Sequence, residues 1–318
     1  MLRYIIKRFS DYSEDVRKVH KISNLRLFIN YVFSYLIYGC SVKEFFMYKF
    51  YCLNHFCKKM YTSHRQLIAL YKKVNKPQFT IYFVSKEESF KKFEKFMPRN
   101  WCGCKYNSSI EDYQKFIDEH DKCIFKPMRG CGGSGIEVLD LKQYTAEQLR
   151  NKCMKSNAII EEMIKQHEEI AALHPQSINT IRLVTINAKI IGAVLRVGCG
   201  EKVVDNACSG GLYAEIDIDT GILISKAVNY KNEYFTKHPD TGIILVGFHI
   251  PMWDSIKEFI TEATKVVPEM VVIGWDVAVT PDGPTLIETN ERPDLILLQN
   301  TWIMDIDKNF NANIKNLV

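Results

Sequence analysis

The sequence predicts an α+β fold, on three observations. Residues 11–75 carry apolar side chains at three- and four-residue spacings, the period of helices. Beyond residue 178 the period drops to two, in paired runs that flank short turns, as antiparallel strands require. Between these regions the stretch CIFKPMRGCGGSGIEVLDL sets a loop with four glycines between two β-rich runs. The 318 residues suit about two domains, or one large domain with an appendage.

The elements follow in order. Asp11 to Ile22, Asn24 to Tyr38 and Ser41 to Asn75 read as helices, with Gly39 interrupting the last two and Lys76-Pro77 closing the region. Phe79 to Val84 is β-rich and reads as a strand. Glu87 to Phe96 is a short charged helix stopped by Pro98, and Ser108 or Ser109 caps a helix through Glu119. After the glycine loop, Thr145 to Ser156 is helical and Ala158 to Ile160 is a short buried strand. Asn179 to Ile186 and Ile190 to Val197 form an antiparallel pair. Leu212 to Ile218 and Ile222 to Val228 flank Asp219-Thr220-Gly221 as a second hairpin. Trp253 to Val267 is an amphipathic helix between Pro251 and Pro268. Val271 to Val279 and Pro284 to Thr289 flank Pro281-Asp282-Gly283 as a third hairpin. Three regions result: a helical 1–76, a stretch 77–160 with the glycine loop, and the sheet-rich 161–318.

Charge and cysteines narrow the class. The net charge of +5 conceals a basic opening, with 15 Lys/Arg against 4 Asp/Glu and 16 aromatics between residues 1 and 76. The apolar run Leu25 to Tyr38 includes Arg26 and Asn30 and falls short of the roughly 20 residues that span a bilayer. Two readings of this region stand: a helical layer packed on the rest, or a peripheral contact with an anionic membrane or a membrane-bound glycosyltransferase. No nucleic-acid motif accompanies the charge. The 10 cysteines form neither a CxxC pair nor a secreted framework, which predicts reduced thiols and a cytoplasmic location, peripheral to the membrane at most.

Two constellations carry chemistry. The glycines at 130, 132, 133 and 135 free backbone N–H groups to close on an anion, and Lys126 comes from the strand before them. A P-loop or a dinucleotide fingerprint would run into a helix, but Ile136 to Leu139 continues as strand. Strand, glycine loop and strand make a flap over phosphates. In GWDVAVTPDGPTLIETN, Asp276 sits on one strand, with Glu288 and Asn290 two apart on its partner. Two carboxylates and an amide oxygen are hard ligands of the kind Mg²⁺ takes alongside water and phosphate.

Lys126-Pro127 with its flap, Glu161-Glu162 and the Asp…Glu-x-Asn hairpin resemble the ATP-grasp superfamily. IIEEMIKQH, SINTIRLVT, VDNACSGG and GWDVAVT…GPTLIETN resemble more closely its sugar-transfer-associated family, found near surface-polysaccharide genes. The resemblance covers about residues 75 to 300 and implies two α+β subdomains clasping ATP. It implies phosphate contacts from Lys126, Lys86 and the loop Arg129, Gly130, Gly132, Gly133, Ser134 and Gly135. Glu161, Glu162, Met163 and Ile164 would form the adenine hinge, with one glutamate on the ribose. Arg182, Arg196 and Asn206 would act on the γ-phosphate and the acyl phosphate, near Gly210-Gly211. Asp276, Glu288 and Asn290 would hold one or two Mg²⁺. Relatives often follow that asparagine with Pro-Gly; here Glu291-Arg292-Pro293-Asp294 stands instead. The implied activity is ATP-dependent, ADP-forming ligation of a carboxylate, on a nucleotide- or lipid-linked sugar, to an amine. A kinase on the same fold and a non-catalytic nucleotide-binding partner are the alternatives.

Overall fold

In the computed structural model, described for residues 2–128, 135–201, 205 and 210–301, the chain builds two antiparallel sheets and a helical layer. The opening helices are α1 (Leu2–His20), α2 (Asn24–Tyr38), α3 (Val42–Met47), α4 (His55–Met60) and α5 (His64–Val74). Ser23, Ser41, Asn54 and Ser63 cap α2 to α5 in turn, each accepting a backbone N–H near the start of its helix. Gly39 ends α2 with φ +71°, which only glycine adopts freely.

The first departure from expectation comes at Phe79 to Val84. It is not a strand: Pro77–Phe79 is a 3₁₀ turn and Ile81–Val84 is a short helix, α6. The β-branched and aromatic side chains favour extension, yet the segment packs as a helix against the strand Gly283–Asn290. Phe83 is instead driven into the core beside Phe93, with ring centroids 5.5 Å apart. Helix α7 (Lys86–Lys92) follows, capped by Ser85.

The smaller sheet has the order β1-β4-β2-β3, from Trp101–Cys102 (β1), Lys122–Pro127 (β2), Glu137–Asp140 (β3) and Ala158–Glu162 (β4). Helices α8 (Ile110–Glu119) and α9 (Ala146–Ser156) cover it, with Tyr113, Phe116, Leu149 and Cys153 packed on Cys123, Phe125 and Ile160. Helix α10 (Glu168–Leu173) then leads into the larger sheet.

That sheet runs β11-β10-β5-β6-β7-β8-β9. Its strands are β5 (Thr180–Ile186), β6 (Lys189–Val197), β7 (Leu212–Ile216), β8 (Ala227–Val228), β9 (Tyr234–Phe235), β10 (Val272–Thr280) and β11 (Gly283–Asn290). Asn187 and Ala188, both at positive φ, close the β5–β6 hairpin as the strand twist demands. The expected second hairpin is present but interrupted: Ile216 bridges to Leu223, Ile224 to Lys226 leave the strand, and β8 pairs with β7 again at Tyr213 and Val228. Helix α11 (Trp253–Thr264) fills one face of the sheet with Ile256, Ile260 and Ala263, against Leu183, Leu195 and Trp275. The same core takes in Phe83, Phe90 and Phe96, so residues 81–97 pack on the large sheet, and Phe90 also stacks on Trp101 of β1 with ring centroids 5.0 Å apart. The other face receives α5, whose Leu67 and Tyr71 cover Val184, Val194 and Val272 together with α12 (Ile296–Thr301). The opening region is therefore built onto the sheet, as the packed-layer reading expects.

Gly221 shows how tightly that architecture closes. Its φ is +74°, and a Cβ there would lie 2.4 Å from the Trp253 ring, whose Nε1 donates to the Ile218 carbonyl at 2.8 Å. Gly221→Ala should lose on the order of 2–4 kcal/mol, combining left-handed strain and overpacking. Urea denaturation checks this, and a loss below about 0.5 kcal/mol, the scale of an ordinary surface change, would contradict it.

Candidate active site

The small sheet contributes the first half of the cleft. Lys126 pairs across β2–β4 with Ile159, which sets its side chain on the same face as Glu161. The Lys126 ammonium forms an ion pair with Glu161, which is 2% exposed. Arg99 donates from Nε at 3.0 Å and Nη2 at 2.9 Å to the same Glu161 oxygen. Its Nη1 reaches the Leu286 carbonyl of β11 at 2.7 Å, and its guanidinium stacks 4.7 Å from the centre of the Phe90 ring. Arg99 thus joins the small sheet to the large one. Burial alone would raise the Glu161 pKa, but Arg99 and Lys126 outweigh it and hold the carboxyl below the usual range.

Of the two hinge glutamates, Glu161 is the one that faces the lysine. Glu162 lies on the opposite face of the strand and accepts the Asn100 backbone N–H at 3.1 Å. Met163 is exposed and Ile164 half-buried just beyond the strand. Arg129, Gly130, Gly132, Gly133 and Ser134 lie outside the described residues. Gly135 has φ +77°, and a Cβ there would sit 3.0 Å from Pro127, so the returning stem of the loop closes on the outgoing one.

The large sheet supplies the second half. Arg182, Asp276 and Glu288 form one cross-strand row over β5, β10 and β11. Arg182 grips Asp276 with two donors, Nε and Nη2, the latter at 2.8 Å. Arg196 reaches Asp276 from Nη1 at 3.2 Å and Asp205 from Nη2 at 2.7 Å. Asp205 also accepts the Thr180 N–H at 2.9 Å and the Thr180 hydroxyl, so it is a bracing residue for Arg196. Burial would raise the Asp276 pKa, yet Arg182 and Arg196 carry it below the usual carboxylate range. Asn206 lies outside the described residues. Gly211 must be glycine, because a Cβ there would come within 2.3 Å of the Asp205 carbonyl.

A bulge sorts the metal hairpin. Asp276 opposes Glu288 while Val277 opposes Leu286, leaving Ile287 extra. Without it, Leu286 and Glu288 would share a face. With it, Leu286 is fully buried in the core and Glu288 faces the cleft beside Asp276. Gly274 opposes Asn290, and a Cβ at Gly274 would lie 2.7 Å from Pro293, so the chain after β11 folds back over the strand.

Among the described residues no three His, Cys, Asp or Glu side chains gather as a metal-binding group. The Asp276 carboxylate accepts three guanidinium hydrogen bonds, two from Arg182 and one from Arg196. The rest of the donor set fits a hard cation. Glu288 is exposed, and Asn290 lies two residues further along the same strand, its side-chain oxygen being of the type that joins a carboxylate on a cation. Glu288 and Asn290 would hold Mg²⁺, with one lone pair of Asp276 Oδ1 to add.

Lys86 links the two halves. It opens α7 and is half-buried, and Ser85 on one side and Glu87 on the other fix it. The Glu87 carboxylate accepts the Lys105 N–H at 2.8 Å, and Gly103 leaves room for it. Burial lowers the Lys86 pKa; Glu288 and Glu161 oppose that, and Lys126 adds to it. Lys86 makes no ion pair with any described residue. Its electrostatic neighbours come from both sheets, so the flap lysine and the acidic hairpin share one cleft.

Arg99 escaped the sequence reading. Only the pairing of a lone arginine with a buried glutamate 62 residues away identifies it, and sequence does not show such a contact. His174 and His238 also emerge as braces, donating or accepting at Ser177, Gly200 and Gly198.

The buried Glu161 ion triad has a pH signature. Its folded pKa lies below the unfolded value of about 4.3, so its stabilisation is complete above that pH and fades as pH falls through the folded pKa. Glu161→Gln should cost about 3–5 kcal/mol at neutral pH by leaving two buried cations unpaired. It should also flatten the loss of stability below about pH 4. Denaturation curves across the acid range check both, and parallel wild-type and variant profiles would contradict them.

Residues 65–302 match the sugar-transfer associated ATP-grasp family. A comparison with curated protein sequences found no match. Among solved structures, the chain is similar to the ATP-grasp ligase PsnB complexed with minimal precursor, Mg and ADP, at 14% identity and a TM-score of 0.47. That match covers 80% of this chain and 66% of PsnB, so the chain spans just under two thirds of that ligase. D-cycloserine synthetase DcsG aligns at 10% identity and TM-score 0.45, covering 80% of this chain and 79% of its own. D-alanine–D-alanine ligase from Bacillus anthracis aligns at 12% identity and TM-score 0.42, covering 79% and 77%. The family match spans most of the chain, including Lys86, Lys126 and the Asp276–Asn290 hairpin, and this protein therefore belongs to the sugar-transfer associated ATP-grasp family.

Proposed function

We propose that the chain is an ATP-dependent, ADP-forming carboxylate–amine ligase whose carboxylate is carried on a sugar, such as a uronic acid, in surface-polysaccharide synthesis. The family match supports the ATP-dependent ligase class, and its description supports the sugar. The single observation that carries the reading is Lys86. A half-buried ammonium with no ion pair among the described residues, electrostatically coupled to Lys126 and Glu288, suits an anionic ligand.

The residues present suit a two-step displacement. A substrate carboxylate oxygen attacks the γ-phosphorus of ATP, the bond to the β-phosphate oxygen breaks, and ADP leaves. The amine nitrogen then attacks the acyl carbon, the bond to phosphate breaks, inorganic phosphate leaves, and the amine gives up a proton to solvent. Lys86 and Lys126 neutralise phosphate oxygens from the small-domain side. Arg182 and Arg196, locked by Asp276 and Asp205, face the transferring group with no need to reorganise. Mg²⁺ on Glu288 and Asn290 would spread the remaining phosphate charge.

The direct test supplies purified protein with MgATP, a nucleotide-linked uronate and mixed amines. ADP should appear only when the carboxylate is present, and hydroxylamine in place of the amine should trap a hydroxamate. AMP release, ADP formation indifferent to the carboxylate, or a stable phosphorylated sugar would overturn the reading.

Variants separate holding from folding. Lys126→Ala leaves Arg99 on Glu161, and Glu288→Gln changes an exposed side chain, so both should fold while turnover drops by about 10²–10³-fold. Lys86→Met removes a desolvated charge. It should raise the melting temperature without nucleotide and weaken MgATP binding about tenfold or more. Unchanged nucleotide affinity in Lys86→Met, read by calorimetry, would remove Lys86 from the site.

A further inference from the structure

The most exposed apolar surface in the structure is helix α2. Only Leu27, Tyr31 and Ser34 are buried, and they face the α1–α3 layer, where Phe9 meets Phe28 and Tyr31. Asn30 and Tyr38 are half-buried, and the other residues of the helix are exposed. Leu25 is 70% exposed, Leu36 69%, Phe33 60% and Ile37 58%, with Phe28 and Ile29 between them. A polar face toward solvent is what packing on one side should leave; here the outer face is aliphatic and aromatic. No helix among the described residues is long and apolar enough to cross a membrane.

Charge says what covers this face. From residue 16 to residue 86 the sequence holds thirteen Lys/Arg, and Glu44 is its only acidic residue. Glu44 is 1% exposed and is consumed by the Ser41 and His64 backbone N–H groups. The surface at the start of α2 is therefore net positive: Lys18 pairs with Glu14 of α1 at 2.8 Å, while Arg17 and Lys21 before the helix and Arg26 on it add further positive charge. A second copy of the chain would bring the same positive charge to the contact. A nucleic acid would meet leucine and phenylalanine where it needs cations. An anionic lipid surface answers both features, because acyl chains take the apolar side chains and head groups take the lysines and arginines.

We propose that α2 lies in the interface of an anionic bilayer, holding the ATP-grasp cleft at the membrane surface. The proposal does not rest on the ligase reading. The docked layer is continuous with the cleft: Lys43 of α3 bonds Tyr230 at 3.2 Å and pairs with Asp294 at 3.4 Å, just past the metal hairpin.

Vesicle flotation of the full chain tests it, using phosphatidylcholine with and without phosphatidylglycerol. The wild type should float with the anionic vesicles at low salt, and at least about tenfold less with neutral vesicles or in high salt. The double variant Phe33→Asp/Leu36→Asp should lose about tenfold or more of that binding, with its thermal melt and its stabilisation by MgATP unchanged. Lys21→Glu/Arg26→Glu should lose the preference for phosphatidylglycerol. Absent flotation of the wild type, equal flotation of the aspartate variant, or a wild-type dimer that this variant converts to monomer in light scattering would overturn the proposal. Because MgATP stabilisation is read separately, failure at the membrane is distinguishable from failure of the nucleotide site.

Discussion

Everything in the cleft depends on keeping charges paired where water is scarce. Glu161 and Asp276 are both nearly inaccessible, and each survives as a carboxylate only because two cations converge on it. The pairing is also the connection between the two sheets. Arg99 reaches from Glu161 on the small sheet to the Leu286 carbonyl on the large one, and the Leu286 carbonyl sits at the bulge that aims Glu288. A structure that anchored its subdomains with apolar contacts alone would leave no polarity at the seam for a phosphate chain to exploit. Here Lys86, which makes no ion pair with a described residue, has Glu288, Lys126 and Glu161 as its electrostatic neighbours.

The helical layer reaches the cleft by the same route of specific polar contacts. Asn75, at the end of α5, pairs through its side chain with both the N–H and the carbonyl of Val272 and also reaches the Glu291 carbonyl at 2.9 Å. Tyr71 donates to the Pro293 carbonyl at 2.7 Å, and Asp294 caps the Ile296 N–H. The segment Glu291 to Asp294 is thus held by residues from the first quarter of the chain.

The fold was legible wherever period and punctuation agreed. Asn187-Ala188 closes the β5–β6 hairpin where alternation stops, and the Ser109 and Thr145 caps begin α8 and α9 as their side-chain chemistry requires. Phe79 to Val84 misled because its propensity favours extension, while burial of Phe83 decided the conformation. The strand position of Lys126 and the facing of Asp276 and Glu288 were legible because alternation and a short turn fix strand pairing. Arg99 was not, since an ion pair across the fold leaves no periodic trace. Nor was the role of Asp276, whose distribution between guanidinium and metal depends on which strand lies beside it.

That neighbour explains why the hairpin needs its bulge. In a regular strand Leu286, Glu288 and Asn290 would all point one way, and either the leucine would leave the core or the glutamate would enter it. Burying the glutamate beside Trp275 would demand a new counterion in an apolar layer. Exposing the leucine would open the core where Phe93 meets Trp275, 5.9 Å apart. One extra residue, Ile287, resolves the conflict by letting the strand change faces between Leu286 and Glu288. The same local irregularity brings Glu288 level with Asp276 and Arg182, so the row of charges across three strands exists because the core on the other side had to remain apolar.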